Sequence, residues 1–396
     1  MTDTNRWLLP EGVEEALPPL AERLETLRRE LLDLYHAWGY ELIMPPLVEY
    51  LESLLTGTGH GLDLQTFKLT DQLNGRLMGV RADMTPQAAR IDAHCLQREV
   101  PTRLCYVGTV LHTRPDGFAG SRSPLQVGAE LYGHSGLESD LEILRLMLRT
   151  LEVCGVEAPL VDLGHVGIFR RLAEDAGLDR QQETELFDML QRKAVPELEA
   201  RLGEMGLPDR SRGHLAALAD LNGGAETLDR ARERLDGAGE AVFAALDALE
   251  RMAKRLQAAH PGVALHFDLA ELRGYHYHTG LVFAAFLPGN GQEVARGGRY
   301  DDIGRVFGRA RPATGFSTDL KTLARLSRCP EAPAPSAVLA PADPDPGLDA
   351  VVEDLRRRGE RVIRGLSAQD GDAVAMGCDR VLVKTDNHWT VVDARA

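Results

Sequence analysis

Cysteine is scarce in this chain and badly placed for a structural role. The five cysteines, Cys95, Cys105, Cys154, Cys329 and Cys378, are odd in number, widely scattered and never spaced as CxxC. That pattern excludes a disulfide framework and a zinc knuckle and points to a reducing, cytoplasmic compartment. Long apolar runs are also missing: no stretch reaches the length of a signal-peptide core or a membrane span, so a soluble protein with no membrane partner is expected. Positive charge is in deficit, with 45 basic against 60 acidic residues and a net charge of -15. Such a surface repels phosphate backbones on average, and no nucleic-acid partner is expected. No GxGxxG or GxxxxGK[ST] follows a strand pattern, so neither a dinucleotide fold nor a P-loop is supported, and no internal repeat is present.

What is present is enough apolar material for more than one domain: 396 residues, 44% of them hydrophobic. Leu20, Leu24, Leu27, Leu31 and Leu34 recur at three- and four-residue steps, the apolar stripe of a helix over about 17–37. A short strand from Tyr40 to Met44 stops at Pro45-Pro46. Two further strands, near 66–69 and 76–81, flank the turn-rich segment Asp71-Gln72-Leu73-Asn74-Gly75 and read as a hairpin. Strands at 102–112 and 124–132, a helix at 138–154 and a strand–helix pair at 159–176 follow. Residues 178–262 are rich in Leu, Ala, Glu and Arg and read as a helical insertion. Strand patterns return at 263–270, 277–286 and 292–296, with a helix at about 318–327. Pro330, Pro333, Pro335, Pro341, Pro344 and Pro346 then mark a linker over 329–347. Beyond it, 348–396 has room for a small α/β unit. Consecutive hairpin-linked strands among helices predict an α+β fold with an antiparallel-rich sheet in a core of 1–328.

Polar residues are concentrated inside four otherwise apolar segments, around 81–85, 125–132, 272–280 and 295–301. In the second, period-two geometry puts Gln126, Gly128, Glu130 and Tyr132 on one face, leaving Leu125, Val127, Ala129 and Leu131 for the other. A carboxylate on that half-buried strand needs a donor or cation, which a ligand ammonium or imidazole would supply. Arg273 offers a fork suited to a carboxylate, with Gly274 allowing close backbone approach. A structural ion pair between Glu130 and Arg273 is the plainer alternative. His276 and His278 would share a strand face, but without a third His or Cys no metal site is expected. Arg356, Arg357, Arg358, Arg361 and Arg364 resemble a nucleic-acid patch, yet cations at a helix end are an ordinary match to its dipole.

These segments together resemble the class II synthetase core of histidyl-tRNA synthetase over roughly 8–328. RGYHYHTG at 273–280 is similar to that family's own signature, and RGGRYDD at 296–302 to its glycine-rich strand turn. The resemblance implies an antiparallel sheet flanked by helices, dimerisation around Pro45-Pro46 and a pocket for histidine. It places Asp83, where the family has glutamate, and Thr85 at the ligand ammonium. It gives Gln126 and Glu130 the ammonium and imidazole, Arg273 the carboxylate, and Tyr277 with His278 the positions beside the imidazole; at His278 the family has tyrosine.

The departures are as informative as the matches. Where the synthetases hold the ATP α-phosphate with arginine, this chain has His112, and where a second arginine clasps ATP it has Thr322. Each lost charged hydrogen bond removes about 1.5–3 kcal/mol, and each 1.4 kcal/mol is about tenfold in rate, so adenylate formation should be lower by orders of magnitude. The tail beyond the linker is also shorter than the family's anticodon-binding domain. Retained histidine recognition with lost ATP recognition resembles the paralogous family of regulatory subunits of short-form ATP phosphoribosyltransferase, as do LHTRPDGFAGSRSPLQVGAELYG and GFSTDL. What that resemblance implies is a non-catalytic chain without cofactor, a homodimer within a hetero-octamer with a separate catalytic subunit. It also implies L-histidine as ligand, a requirement for the chain in full activity, and histidine feedback. An active synthetase with substitute cations, and a free-standing histidine-binding module, are the competing readings.

Overall fold

The leucine stripe near the start of the sequence folds into α1 (Leu20–Ala37), which buries Leu24, Leu27, Leu31 and Tyr35 and ends at Gly39, whose φ of +82° suits a residue without a side chain. The structure, a computed structural model, describes residues 7–56, 60–115, 120–272, 277–327, 336–367 and 372–394. The strand expected from Tyr40 to Met44 is only the two-residue β1 (Glu41–Leu42), cut short ahead of Pro45-Pro46. A small three-stranded sheet follows. It is built from β2 (Val48–Tyr50), α2 (Leu51–Leu54), α3 (His60–Gln65), β3 (Phe67–Thr70) and β4 (Leu77–Val80), with strand order β2-β4-β3. The expected hairpin joins β3 to β4, and its turn is braced by Asp71 and Asn74 side chains accepting from the backbone amides of Leu73 and Arg76.

The site is carried by a larger sheet. After α4 (Thr85–Arg90), which passes into a π-helical turn at Ile91–Leu96, come β5 (Thr102–Thr109), β6 (Leu125–Tyr132), α5 (Leu137–Val153), β7 (Leu160–His165) and α6 (Val166–Asp175). The stretch read as a helical insertion contains α7 (Arg180–Gln191), α8 (Val195–Glu204), α9 (Asp209–Ala217), the two-residue β8 (Asn222–Gly223), α10 (Glu226–Arg234) and α11 (Glu240–Ala259). The chain then returns through β9 (Ala264–Asp268), β10 (Leu281–Phe286), β11 (Glu293–Arg299), β12 (Ala313–Asp319) and α12 (Leu320–Leu326). The strand order is β1-β5-β6-β12-β11-β10-β7-β9-β8.

Neighbours from β5 to β7 run antiparallel, as expected of an α+β fold, but β1 pairs β5 and β7 pairs β9 in parallel, so the sheet is mixed towards its two ends. Strand β12 is the element the pattern hides. Its sequence ATGFSTD alternates poorly and carries a glycine, yet it lies between β6 and β11 at the heart of the sheet. The alternation read in β6 holds: Val127, Ala129 and Leu131 join the main core with Ile143, Leu144 and Met147 of α5. Tyr132 turns instead to a second cluster with Met84, Ala88, Tyr106, Tyr300 and Ile303.

Residues 1–328 form one compact unit and 329–396 another. In the smaller unit β13 (Ala337–Ala340), α13 (Pro346–Arg357), β14 (Arg361–Arg364), β15 (Arg380–Thr385) and β16 (His388–Asp393) give a sheet of order β14-β13-β15-β16. Val338, Leu348, Val352, Val362 and Leu382 form its core. Strand β13 and the first turn of α13 lie inside the stretch read as a linker. Proline misleads there because Pro346 occupies the first helical turn, where a missing N–H costs nothing, behind the cap Asp345. Three arginines of this unit are paired locally, Arg356 to Glu353, Arg358 to Asp354 and Arg364 to Asp349. Among the described residues no helix is long and apolar enough to cross a membrane.

Candidate functional site

Glu130 sits at the centre of the larger sheet, opposite Leu104 on β5 and Gly315 on β12. Its carboxylate lies where a side chain on the neighbouring strand would be: a Cβ on Gly315 would fall 1.5 Å from Oε2. Gly128 makes the matching space on β6, since a Cβ there would meet the Tyr106 hydroxyl at 2.6 Å. Two glycines therefore let a carboxyl and a phenol share the middle of a sheet. Glu130 Oε1 accepts from Tyr106 Oη at 2.8 Å and from Thr85 Oγ1 at 3.0 Å, while Oε2 accepts from Tyr300 Oη. The residue is 1% exposed. Burial pushes its carboxyl up to about 8, against the pull of the three hydroxyls and with the Asp83 charge adding to the rise. Burial also holds the Tyr106 and Tyr300 phenols well above their usual range, so they stay neutral donors.

Asp83, Thr85 and Gln126 extend this group in one hydrogen-bonded chain. Gln126 Nε2 donates to Asp83 Oδ1 at 2.8 Å, Gln126 Oε1 accepts from the Met84 amide at 2.9 Å, and Asp83 Oδ1 also accepts from the Thr85 amide at 3.0 Å. The amides come from the turn that opens α4, so the start of that helix and strand β6 are bolted together by side chains expected to read an ammonium.

His278 and Tyr277 close another side. The His278 ring is buried and faces the Arg299 carbonyl through Nδ1 at 3.1 Å, an arrangement that suits an Nδ1–H donor. Burial depresses its pKa to about 4, so it is neutral at neutral pH. The Tyr277 and His278 rings lie 4.2 Å apart, and each centroid is within 6.4 Å and 6.3 Å, respectively, of Tyr300. Both residues precede β10 and lie outside any strand. Arg273 and His276 lie outside the described residues, and among those described no group of three metal-ligating side chains occurs.

The carbonyl that receives His278 belongs to a rigid residue. Arg299 buries its guanidinium against Asp140 at 2.9 Å and Ser139 Oγ at 2.8 Å, at the start of α5, and also reaches Asp301. Tyr300, next in sequence, is thereby aimed at Glu130. Asp83, Thr85, Gln126, Glu130, Tyr277 and His278 are thus brought together around two tyrosines. Sequence reasoning assigned no role to Tyr106 or Tyr300. Tyr300 lies within the quoted RGGRYDD, whereas Tyr106, in the apolar run RLCYVG, carries no signal of its own.

The positions where phosphate-binding arginines were expected are used otherwise. His112 Nε2 meets the Ala82 carbonyl at 2.8 Å. Thr322 donates through Oγ1 to Asp319 Oδ2 at 2.7 Å, part of the cap of α12. Lys321 is buried and donates to the Ser123 carbonyl at 2.7 Å, so it is no substitute cation. A surface cleft of about 390 Å³ lined by Trp38, Arg103, Glu142 and Arg145 shares no residue with the cluster.

A nine-stranded mixed sheet carrying this cluster defines a class, proteins built on the histidyl-tRNA synthetase fold. The family model described as Histidyl-tRNA synthetase matches residues 12–323. A histidyl-tRNA synthetase from Nostoc sp. PCC 7120 shares the fold, with a TM-score of 0.76 at 18% identity over 98% of this chain and 97% of that one. Within that class, the chain belongs to the family of ATP phosphoribosyltransferase regulatory subunits. The protein so named from Thioalkalivibrio sulfidiphilus is 71% identical over 394 residues, 99% of this chain and 100% of its own. Its counterpart from Alkalilimnicola ehrlichii is 61% identical over 96% of both chains. The model described as ATP phosphoribosyltransferase subunit HisZ C-terminal domain matches 335–392. A solved structure from Bacillus halodurans C, described as an ATP phosphoribosyltransferase regulatory subunit/histidyl-tRNA synthetase, has a TM-score of 0.83 at 26% identity, covering 95% of this chain and 97% of that one.

Proposed function

We propose that this chain is the non-catalytic regulatory subunit of ATP phosphoribosyltransferase, in the first step of histidine biosynthesis, and that it binds L-histidine at the Glu130 cluster. The observation that carries the reading is a buried carboxyl with three hydroxyl donors, beside an Asp83–Gln126 pair, at a site whose phosphate-binding positions hold His112 and Thr322. A ligand ammonium and imidazole complete the charge balance of such a group, and a triphosphate does not. Arg273 supplies the carboxylate partner, and Tyr277 with His278 packs beside the imidazole.

The phosphoribosyl transfer takes place on a separate short-form catalytic subunit in the cytoplasm. This chain, as homodimers within a hetero-octamer, raises that subunit's activity and makes it responsive to histidine. A coupling of about 1–3 kcal/mol between the histidine site and the partner is of the ordinary size for allosteric linkage. Titration calorimetry of the full chain tests the ligand: heat on adding L-histidine and none on adding ATP is expected. Tight ATP binding with no response to histidine would reverse the assignment in favour of an active synthetase.

A further inference from the structure

The groups set against Glu130 among the described residues are acids or neutral donors. Asp83 and Thr85 approach from the start of α4, Tyr106 from β5, Tyr132 from β6 itself, and Tyr300 from the end of β11. Tyr40 and Tyr277 feel its charge from further off. His278 is neutral, and the Arg296 charge bears on Tyr277 and His278. Three hydroxyls can orient a carboxyl without neutralising it. Gly315 opens the strand at this spot and leaves room for the carboxyl at full burial.

We propose that Glu130 and the imidazole of the bound ligand hold a single proton between them, with Tyr106 and Tyr300 as the positioning residues that fix the carboxyl for the exchange. The inference rests on the histidine reading of the site and specifies its proton chemistry. In the free chain Glu130 carries its proton up to about pH 8, and free imidazole carries one up to about pH 6.5. Below both values the two partners bring two protons and the complex keeps one, so binding releases a proton to solvent. Between them, Glu130 alone brings a proton and passes it to, or shares it with, the ring nitrogen it faces, with no net exchange. Above both, neither partner brings one and binding takes a proton up. Affinity is therefore highest between the two values and falls on either side.

Calorimetric titration of the full chain with L-histidine, in buffers of differing ionisation enthalpy, counts the protons. Release of roughly 0.7 per site at about pH 6, almost none at about pH 7.2 and uptake of roughly 0.7 at about pH 8.5 are expected. An ionised Glu130 meeting a free imidazolium predicts instead no exchange at the acid end and uptake already at neutrality. Glu130→Gln should lose the alkaline uptake that the wild type shows over and above the ligand's own ammonium. Tyr300→Phe removes one hydroxyl that favours the carboxylate and should move the alkaline limb to higher pH without unfolding the chain, a shift that a purely structural tyrosine would not produce. Histidine binding with a proton count that stays flat across this range overturns the proposal and leaves the histidine site standing. Absence of histidine binding in any buffer, checked by equilibrium dialysis with labelled histidine, overturns both.

Discussion

Gly315 on β12 and Glu130 on β6 face each other directly, and the Glu130 carboxylate occupies the space a side chain at 315 would take. Strand β12 thus serves the site by what it omits. The backbone there is ordinary strand, so the glycine is required for space and not for conformation.

Gly315→Ala should accordingly displace Glu130 from its three hydroxyls. The expected result is at least a tenfold loss of histidine affinity, about 1.4 kcal/mol or more, read by calorimetry. The thermal midpoint should fall as well, since the displaced carboxyl loses its donors and the new methyl also meets the Ala129 carbonyl at 2.9 Å.

Glu130→Gln should trade function for stability in a pH-dependent way. The folded pKa of about 8 lies above the ordinary carboxyl value, so the native state binds more protons than the unfolded one between the two. Stability then falls as pH rises through that window, and the glutamine variant escapes the loss. Thermal melts should show the variant several degrees above the wild type at alkaline pH, converging as pH approaches the unfolded carboxyl value. Histidine binding should be weakened at both ends.

Much of this site is legible before any fold is known, and the reasons lie in particular residues. Gln126 and Glu130 stand out because they alternate with Val127, Ala129 and Leu131, and a polar face on a core strand is anomalous. Asp83 and Thr85 are legible through the resemblance, and the structure joins Asp83 to Gln126, and Thr85 to Asp83 and Glu130, by hydrogen bonds. Tyr106 is hidden because an aromatic in an apolar strand reads as core, which it also is. Strand β12 is hidden because a glycine kept for a neighbour's carboxylate weakens the strand pattern. Strand β13 and the start of α13 are hidden in the proline-marked stretch because prolines inside a strand–helix connection look the same as prolines in a tether.

Arg273→Ala should remove the carboxylate partner of the ligand and cost roughly 2–4 kcal/mol of histidine affinity while the fold survives. Calorimetry paired with circular dichroism measures both. Loss of folding with unchanged affinity in the soluble fraction would make Arg273 a structural ion-pair member instead.

Restoring arginine at both His112 and Thr322 should return at most a trace of histidine-dependent pyrophosphate exchange into ATP. His112 is tied to the Ala82 carbonyl, Thr322 to Asp319, and Lys321 to Ser123, so these side chains are already committed to local bonds. Exchange restored to within tenfold of an active synthetase would show that the two cations alone separate the families.

The regulatory account stands or falls on mixing the purified chain with a short-form ATP phosphoribosyltransferase catalytic subunit and following turnover with and without L-histidine. The expected result is higher turnover on adding the chain, inhibition by histidine that requires it, and loss of that inhibition in Glu130→Gln, with no pyrophosphate exchange by the chain itself. Unchanged turnover and histidine response on mixing, together with robust histidine-dependent pyrophosphate exchange by the chain alone, would contradict the account and identify a working synthetase.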